Sequence, residues 1–283
     1  MSAGREPGTP PRIDLGLIGI GVLAEHDRLS LAALLSLDGS VLHDDANGAQ
    51  HTLHPRAIAV VKSLQTAVSY KDWLQVGREQ GLQPGEISEL LQFLNGIGGL
   101  QVKRGPAGHA RLLLFQVRLF CYGRGWPAAV RRWPLSPLAI MQGVTRAGSV
   151  LALFVPVTVF LLYGAGMPAG SAFGYAGISF AIFWLSTVIH EGVHAAFVQS
   201  RPAAVLQRGL RIGILHKPGP PGRELASALC GPLAGSCAAV VLGVLAGALM
   251  PWPYFRTIGL ALAAAHLWSL APWYGDGEIL WNK

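Results

Sequence analysis

The hydrophobic pattern of this chain changes character about halfway along its length. Residues 13–104 mix polar and apolar positions, and their spacing predicts short extended segments and short helices. By contrast, the 43 residues from Ala147 to Ile189 include no Asp, Glu, Lys or Arg. One helical passage through a bilayer needs about 20 apolar residues. This stretch is therefore long enough for two passages.

The pattern divides the chain into four predicted parts. Residues 1–12 are a polar, Pro/Gly-rich leader that we expect to be disordered. Residues 13–104 form a small soluble α+β domain. Residues 105–146 form a basic amphipathic segment that lies on the membrane surface, with a plain basic linker as the competing interpretation. Residues 147–283 form a transmembrane domain. The predicted fold class is therefore mostly α: a polytopic membrane protein with about four transmembrane helices and a small cytoplasmic winged-helix-like α+β domain.

The four predicted membrane spans are located by the stretches of sequence that carry no charged residue. They lie at about residues 147–167, 173–198, 225–250 and 255–273. The turns after the first and third spans are short and nearly uncharged. Two basic segments lie on the opposite side, and Lys and Arg concentrate on the cytoplasmic side of membrane proteins. We therefore expect the N-terminal domain, the loop between spans two and three, and the C-terminus to be cytoplasmic.

The N-terminal domain shows a recurring order of elements. Leu31 to Leu42 are predicted as extended segments around the Asp38-Gly39 turn signal. Pro55 opens a helix that carries Ile58, Val61, Leu64 and Val68 on one face, and helices over Lys71–Gln80 and Gly85–Leu94 and a strand within Gly96–Lys103 follow. This order resembles the small peptide-chaperone winged helix of pyrroloquinoline-quinone biosynthesis, which implies binding of leader peptides. A docking or regulatory domain with no peptide role is the alternative.

Composition and charge narrow the function classes. A hydrophobic fraction of 51% and a charged fraction of 13% fit a membrane protein. The formal net charge of +7 comes from basic clusters that flank the apolar spans. The first 100 residues instead contain 11 of the 15 acidic residues. No nucleic acid is expected as a partner, because the N-terminal domain has no basic recognition helix. A DNA-binding membrane regulator is the disfavoured hypothesis.

The candidate chemistry lies in His190-Glu191-Gly192-Val193-His194, at the end of an apolar helix. Residues four apart share one face of a helix, so the two histidines can bind one metal ion. Neutral imidazole suits Zn²⁺, and a catalytic zinc keeps three protein ligands and a water. Glu191 is the predicted general base. Ionisable groups at membrane depth mark functional sites, although a pair of histidines bonded to neighbouring backbone is the alternative.

A third ligand must come from elsewhere in the chain. Asp276 is the prediction, because spans two and four run in the same direction and bring it to the same side as His194. His266, in the last span, is the second candidate. An Asp-Gly pair that only forms a turn is the competing interpretation of Asp276.

A further motif completes a family resemblance. Gly231-Pro232-Leu233-Ala234-Gly235 lies in the third span, where small residues either pack helices closely or shape a cleft. With the histidine motif and Pro272-Trp273-Tyr274-Gly275-Asp276-Gly277, it resembles the site-2 protease family of intramembrane zinc metalloproteases. The pattern departs from the family at Gly192-Val193, and at His266, which lies nearest the place where an asparagine is usual.

The resemblance implies an intramembrane zinc endopeptidase of a bacterial cytoplasmic membrane. It implies Zn²⁺ held by His190, His194 and Asp276, with Glu191 as base and with Gly231, Pro232, Gly235 and His266 lining the substrate cleft. Substrates would be membrane-anchored or leader-bearing peptides within the lipid bilayer. Residues 205–215, predicted as short strands, would present an edge to an extended substrate. The alternative is a non-proteolytic membrane module for peptide export or immunity that retains the metal site.

Overall fold

The structure, a computed structural model, describes residues 23–108, 111, 130–152, 154–198, 202–208, 211–250, 254–272 and 276. It is mostly helical, at 61%, with small antiparallel sheets. The chain divides into two compact units, residues 1–43 with 50–132 and residues 44–49 with 133–283. The predicted leader, residues 1–12, and residues 109, 110 and 112–129 of the predicted basic segment lie outside the described residues.

Among the residues of the first unit that the structure describes, two small sheets and three helices have full bounds, and residues 106–108 and 111 are also helical. Its elements are β1 (Arg28–Leu31), β2 (Leu35–Asp38), β3 (Val41–Asp44), β4 (Gln50–Thr52), α1 (Pro55–Ser63), β5 (Val68–Ser69), α2 (Tyr70–Glu79), α3 (Pro84–Gly96) and β6 (Leu100–Lys103). One sheet has the order β5-β1-β6 and the other β2-β3-β4. Trp73, fully buried, anchors the core among the helices and donates a hydrogen bond to the Val60 carbonyl at 3.1 Å.

One prediction for this unit is wrong. Val68 does not continue the face of α1, because that helix ends at Ser63 and Leu64 caps it. Val68 instead lies in β5 and pairs with Leu29 of β1. The apolar spacing continued past Ser63 and so predicted too long a helix. The residue that pairs with Val68, Leu29 of β1, is distant in sequence, so local spacing could not reveal it.

The second unit is a helical bundle with one three-stranded sheet. Its elements are β7 (Val130–Pro134, whose last two residues belong to this unit), α4 (Pro137–Ala152), α5 (Phe154–Gly164), α6 (Ala169–Phe197), β8 (Ala204–Arg208), β9 (Arg211–Leu215), α7 (Pro221–Leu249) and α8 (Tyr254–Trp268). The sheet has the order β7-β8-β9. Strands β8 and β9 pair antiparallel from Ala204–Leu215 to Arg208–Arg211, as predicted for residues 205–215. Strand β7 and the start of α4 fall within the segment predicted as basic and amphipathic.

Among the described helices, α6 and α7 are each long and apolar enough, by length and composition, to cross a membrane. Each has 29 residues, and only 22% and 39% of their most apolar windows are buried within the protein. Helix α5 is apolar but shorter, and α8 has 15 residues. The apolar side chains of these helices therefore face outward to a large extent, unlike those of a helix enclosed in a soluble core.

Helices α7 and α8 pack at unusually short range. A Cβ added to Gly243 would lie 2.7 Å from the Phe255 carbonyl oxygen and 2.9 Å from the Gly259 Cα. The hydroxyl of Ser236 lies 2.9 Å from the Ala263 carbonyl oxygen, to which it can donate across the same interface. Small residues permit this approach of two helix backbones. The packing brings His266, near the end of α8, against the histidines of α6.

Candidate metal centre

Two histidines from α6 and one carboxylate converge at the end of the bundle. The Nε2 atoms of His190 and His194 lie 3.0 Å apart. Asp276 Oδ2 is 3.4 Å from His190 Nε2, and Asp276 Oδ1 is 3.3 Å from His194 Nε2. All three candidate ligand atoms lie within 4.8 Å of one another, so this His-His-Asp group could hold one metal ion. His190 is buried, and the other two members are partly buried.

The helical spacing of His190 and His194 explains half of this geometry. Both side chains project from one face of α6, whose last residue, Phe197, follows His190 by seven positions. At about 1.5 Å per residue, the site lies about 10 Å from the C-terminal end of the helix. Asp276 reaches the same point from beyond α8. Of the predicted motif around it, Pro272 and Asp276 are described, whereas residues 273–275 and 277 lie outside the described residues.

Asp276 is held in an ionised state by its surroundings. Burial acts to raise the pKa of this carboxyl group, but hydrogen bonds and attraction to His190 and His194 outweigh it. The net result is a pKa well below the usual range of an aspartate. Ser269 also donates a hydrogen bond to Asp276 Oδ2 at 2.9 Å. The group therefore presents an anionic ligand beside two imidazoles.

Glu191 is buried next to this group, with 8% of its surface exposed. Its Oε2 atom has no hydrogen-bond partner among the described residues. A buried carboxylate oxygen without a partner is costly, and such groups call for an explanation such as a bound water or ion. Glu191 thus has an acceptor available beside the His-His-Asp group.

Gly231 and Gly235 of α7 make room for the imidazoles. A Cβ added to Gly231 would overlap His194 Nε2 and lie 2.5 Å from its Cε1. A Cβ added to Gly235 would lie 2.9 Å from His266 Nδ1 and 3.0 Å from the His190 Cβ. Pro232, between them, is buried, and its carbonyl accepts a hydrogen bond from Ser236 at 2.8 Å. The predicted Gly-Pro motif therefore packs directly against the histidines.

His266, the second candidate for third ligand, is placed differently. Its Nδ1 lies 3.0 Å from His190 Nδ1, and its Nε2 lies 3.1 Å from Ser186 Oγ. Both ring nitrogens therefore face partners on α6 behind His190, and the His-His-Asp group does not include His266. Asp276 is the residue that the structure brings to both histidine Nε2 atoms.

Comparison with known proteins assigns this chain to no family. No protein-family model matches the chain, and no curated protein or solved structure matches it. A function must therefore be inferred from the chemistry of the site itself.

Two serines that the sequence pattern did not reveal contact the group, and a third contacts His266. Ser227 Oγ lies 3.1 Å from His194 Nδ1, Ser269 contacts Asp276, and Ser186 contacts His266. His194, Asp276 and His266 thus each have a serine partner that is not itself a candidate ligand. Ser186 precedes His190 by four residues, about one helical turn, on the same face of α6, and that spacing is the signal that could have found it.

Proposed function

We propose that this chain is an intramembrane zinc-dependent endopeptidase that hydrolyses peptide bonds of membrane-anchored or leader-bearing peptides. The observation that carries the proposal is the convergence of His190, His194 and Asp276 beside the Glu191 carboxylate, whose Oε2 atom has no partner among the described residues. Two imidazoles, a carboxylate ligand and a nearby general base are the parts that metal-dependent amide hydrolysis needs.

The chemistry of the three ligands supports zinc as the metal, since imidazole nitrogens and a carboxylate oxygen are ligands that zinc takes. The two Nε2 atoms lie 3.0 Å apart, and each has a different Asp276 oxygen at 3.3 or 3.4 Å. With one ligand atom from each residue, the three atoms lie within 4.8 Å of one another. Three protein ligands leave a fourth position for water, which is the arrangement of catalytic rather than structural zinc sites. Zinc held by these three residues would lower the pKa of a bound water molecule and polarise a substrate carbonyl.

Residues of the chain itself bind the ion and transfer the proton. His190, His194 and Asp276 bind the ion, and Glu191 accepts a proton from water at its available Oε2 atom. The same carboxyl group then donates that proton to the leaving nitrogen of the substrate. Gly231 and Gly235 leave room against α7 for the rings of His194 and His266 and for the Cβ of His190.

A membrane location is supported by the outward-facing apolar surface of the second unit. Phe160 and Leu161 of α5 and Val241 and Leu245 of α7 are each more than half exposed. Exposed large apolar side chains, where they are numerous, mark contact with a membrane or a partner. We propose four spans, with α6 and α7 as the second and third. The site lies near the cytoplasmic end of α6, where water can enter from the cytoplasm.

The first unit is proposed to recruit the substrate. The helices α1, α2 and α3 and the small antiparallel sheets of the unit support the winged-helix interpretation, and its resemblance to leader-peptide chaperones supports a peptide role. In this arrangement a cytoplasmic unit captures the peptide, and the membrane unit cuts it. The unit is an accessory to the chemistry and contributes none of the site residues named above.

The decisive experiment replaces Glu191 with glutamine in the full chain. Glutamine keeps the shape of the side chain but cannot accept the proton, so hydrolysis should fall by about 100-fold or more while zinc content stays equal to wild type. Cells that carry the wild-type chain are compared with cells that carry Glu191→Gln, by mass spectrometry of newly formed peptide termini. Glu89→Gln, a glutamate in the first unit, is the matched control.

Two results would contradict the proposal. The first is an identical set of new termini with wild type and Glu191→Gln. The second is zinc bound by wild type with no terminus that depends on it, which would favour a non-proteolytic export or immunity module.

A further inference from the structure

A continuous line of polar contacts runs behind His190, on the side away from the proposed metal. His190 Nδ1 lies 3.0 Å from His266 Nδ1, and His266 Nε2 lies 3.1 Å from Ser186 Oγ. Ser186 Oγ lies 3.0 Å from the Phe183 carbonyl oxygen. Helix α6 therefore supplies both ends of the line, and α8 supplies its centre. Ser186 is fully buried and His190 nearly so, whereas His266 between them is partly buried.

The Ser186 hydroxyl donates its single proton to the Phe183 carbonyl, which can only accept and which also accepts from the Thr187 hydroxyl at 2.8 Å. The directions of the other two hydrogen bonds follow from that donation. Ser186 must then accept from His266, which places the proton of a neutral His266 on Nε2. His266 Nδ1 is left as an acceptor, and it can only receive the proton carried by His190 Nδ1. With a metal ion bound, His190 Nε2 would therefore offer its lone pair to the ion, in place of the hydrogen bond that it makes to Asp276 here.

We propose that His266 is a positioning residue that holds His190 as the Nδ1–H tautomer, with Nε2 presented to the metal. The proposal rests on the metal-dependent function proposed above, and it assigns His266 a role outside the ligand set. A metal-binding histidine characteristically donates its other ring N–H to a fixed acceptor, which orients the ring and raises its basicity. Here the acceptor is another imidazole, itself fixed by a buried serine.

A comparison with Ser227, the partner of His194, shows why a histidine matters at position 266. Ser227 Oγ lies 3.1 Å from His194 Nδ1, and a hydroxyl can either donate or accept by rotating. Ser227 alone therefore does not select a tautomer of His194. His266 does select the tautomer of His190, because its other nitrogen is already committed to Ser186.

The His266 ring fits against α7 only because residue 235 has no side chain. A side chain at residue 235 would meet that ring, since a Cβ there would lie 2.9 Å from Nδ1 and 3.0 Å from Cγ. Glycine at position 235 thus admits both the His266 ring and the His190 Cβ. Ser269 adds a second link, because it donates to Asp276 at 2.9 Å and lies 2.8 Å from the His266 carbonyl. The Ser269 hydroxyl therefore lies within hydrogen-bond distance of both the His266 carbonyl and the Asp276 carboxylate.

The test measures metal affinity in the detergent-solubilised full chain, with Co²⁺ alone as the probe. Affinity comes from competition with a chromophoric chelator, and coordination from the visible absorption of the bound ion. His266→Leu removes both contacts at similar bulk, whereas His266→Asn keeps an acceptor that can face His190 Nδ1. Ser186→Ala removes the outer anchor. The control is Ser179→Ala on the same helix, whose hydroxyl donates to the Tyr175 carbonyl at 2.8 Å.

The positioning role predicts a graded series. His266→Leu should weaken Co²⁺ binding by about 10- to 100-fold, the usual cost of losing an outer partner of a ligand. His266→Asn should recover most of that loss, and Ser186→Ala should lie between wild type and His266→Leu. Ser179→Ala should bind as wild type does. The absorption spectrum should keep its wild-type shape in each variant at saturating Co²⁺, because the ligand set is unchanged.

Three results would overturn the inference, and they are distinguishable. Unchanged affinity in a folded His266→Leu protein removes the positioning role and leaves the proposed function standing. A His266→Asn protein with as large a loss as His266→Leu and an altered spectrum identifies His266 as a direct ligand. Absence of Co²⁺ binding by wild type ends both proposals. If His266→Leu fails to fold by circular dichroism, Ser186→Ala against Ser179→Ala decides the question.

Discussion

A methyl group added at position 231 would collide with the ring of His194, a candidate metal ligand. The ring of His194 occupies the space where a side chain at position 231 would begin. The glycine therefore does more than bring two helices together, because it directly borders a candidate ligand. Glycine inside a helix costs about 1 kcal/mol relative to alanine. That cost is the consequence of leaving space for the imidazole.

Gly231→Ala should consequently weaken metal binding by about tenfold or more, a cost at least that of a lost outer partner, although alanine favours the helix. The added Cβ must displace His194 from its position beside His190 and Asp276. Metal content of the purified chain checks this. Gly222→Ala in the same helix is the control, since a Cβ there meets nothing within 4 Å. Equal metal content in the two variants would show that His194 does not lie against Gly231 in solution.

The helices α7 and α8 set the distance between the two halves of the site. Helix α6 carries His190 and His194, while His266 lies on α8 and Asp276 follows it. The close approach at Gly243 fixes where α8 lies, and the Ser236 contact with the Ala263 carbonyl adds a polar link. A change in this packing moves His266 and Asp276 together relative to α6. The site should therefore respond to substitutions that touch none of its members.

Gly243→Ala tests that coupling. The methyl group would lie against the backbone of α8, and overpacking of this kind typically costs about 1–3 kcal/mol. We expect a lower unfolding temperature and weaker Co²⁺ binding. Gly247→Ala, one turn further along α7, is the matched control because its nearest contact is the Arg256 side chain at 3.4 Å. Loss of stability with unchanged Co²⁺ affinity would separate the packing from the site.

The outward-facing apolar surface distinguishes a membrane bundle from a soluble one. Val241 lies within α7 and is 55% exposed. A charge at this position is harmless in water. In the centre of a bilayer it costs about 2.5–3.5 kcal/mol. The two environments therefore predict opposite behaviour for one substitution.

Val241→Arg should reduce stable membrane insertion of the full chain. The measurement is the fraction of protein that stays with membranes after alkaline carbonate extraction. Gln80→Arg, on the surface of the first unit, adds the same charge and should leave that fraction unchanged. A Val241→Arg protein that is folded and more soluble without detergent would argue against the membrane location.

Local patterns were sufficient for much of the architecture. The helices predicted over Lys71–Gln80 and Gly85–Leu94 begin and end within two residues of α2 and α3, and the predicted strands over residues 205–215 are β8 and β9. These features depend on neighbours in sequence, through helical spacing, prolines and turn residues. The continuation of α1 to Val68 failed because a strand partner, not local spacing, decides that segment.

The sequence by itself determined that His190 and His194 share a face beside Glu191, because helical periodicity is a local property. Only the tertiary structure decided which distant residue meets them. Asp276 reaches both Nε2 atoms, whereas His266, 76 residues from His190, lies behind that histidine instead. The roles of Ser186, Ser227 and Ser269 also emerged only from packing. Contacts between residues so far apart depend on how α6, α7 and α8 fit together, and no short sequence pattern encodes that fit.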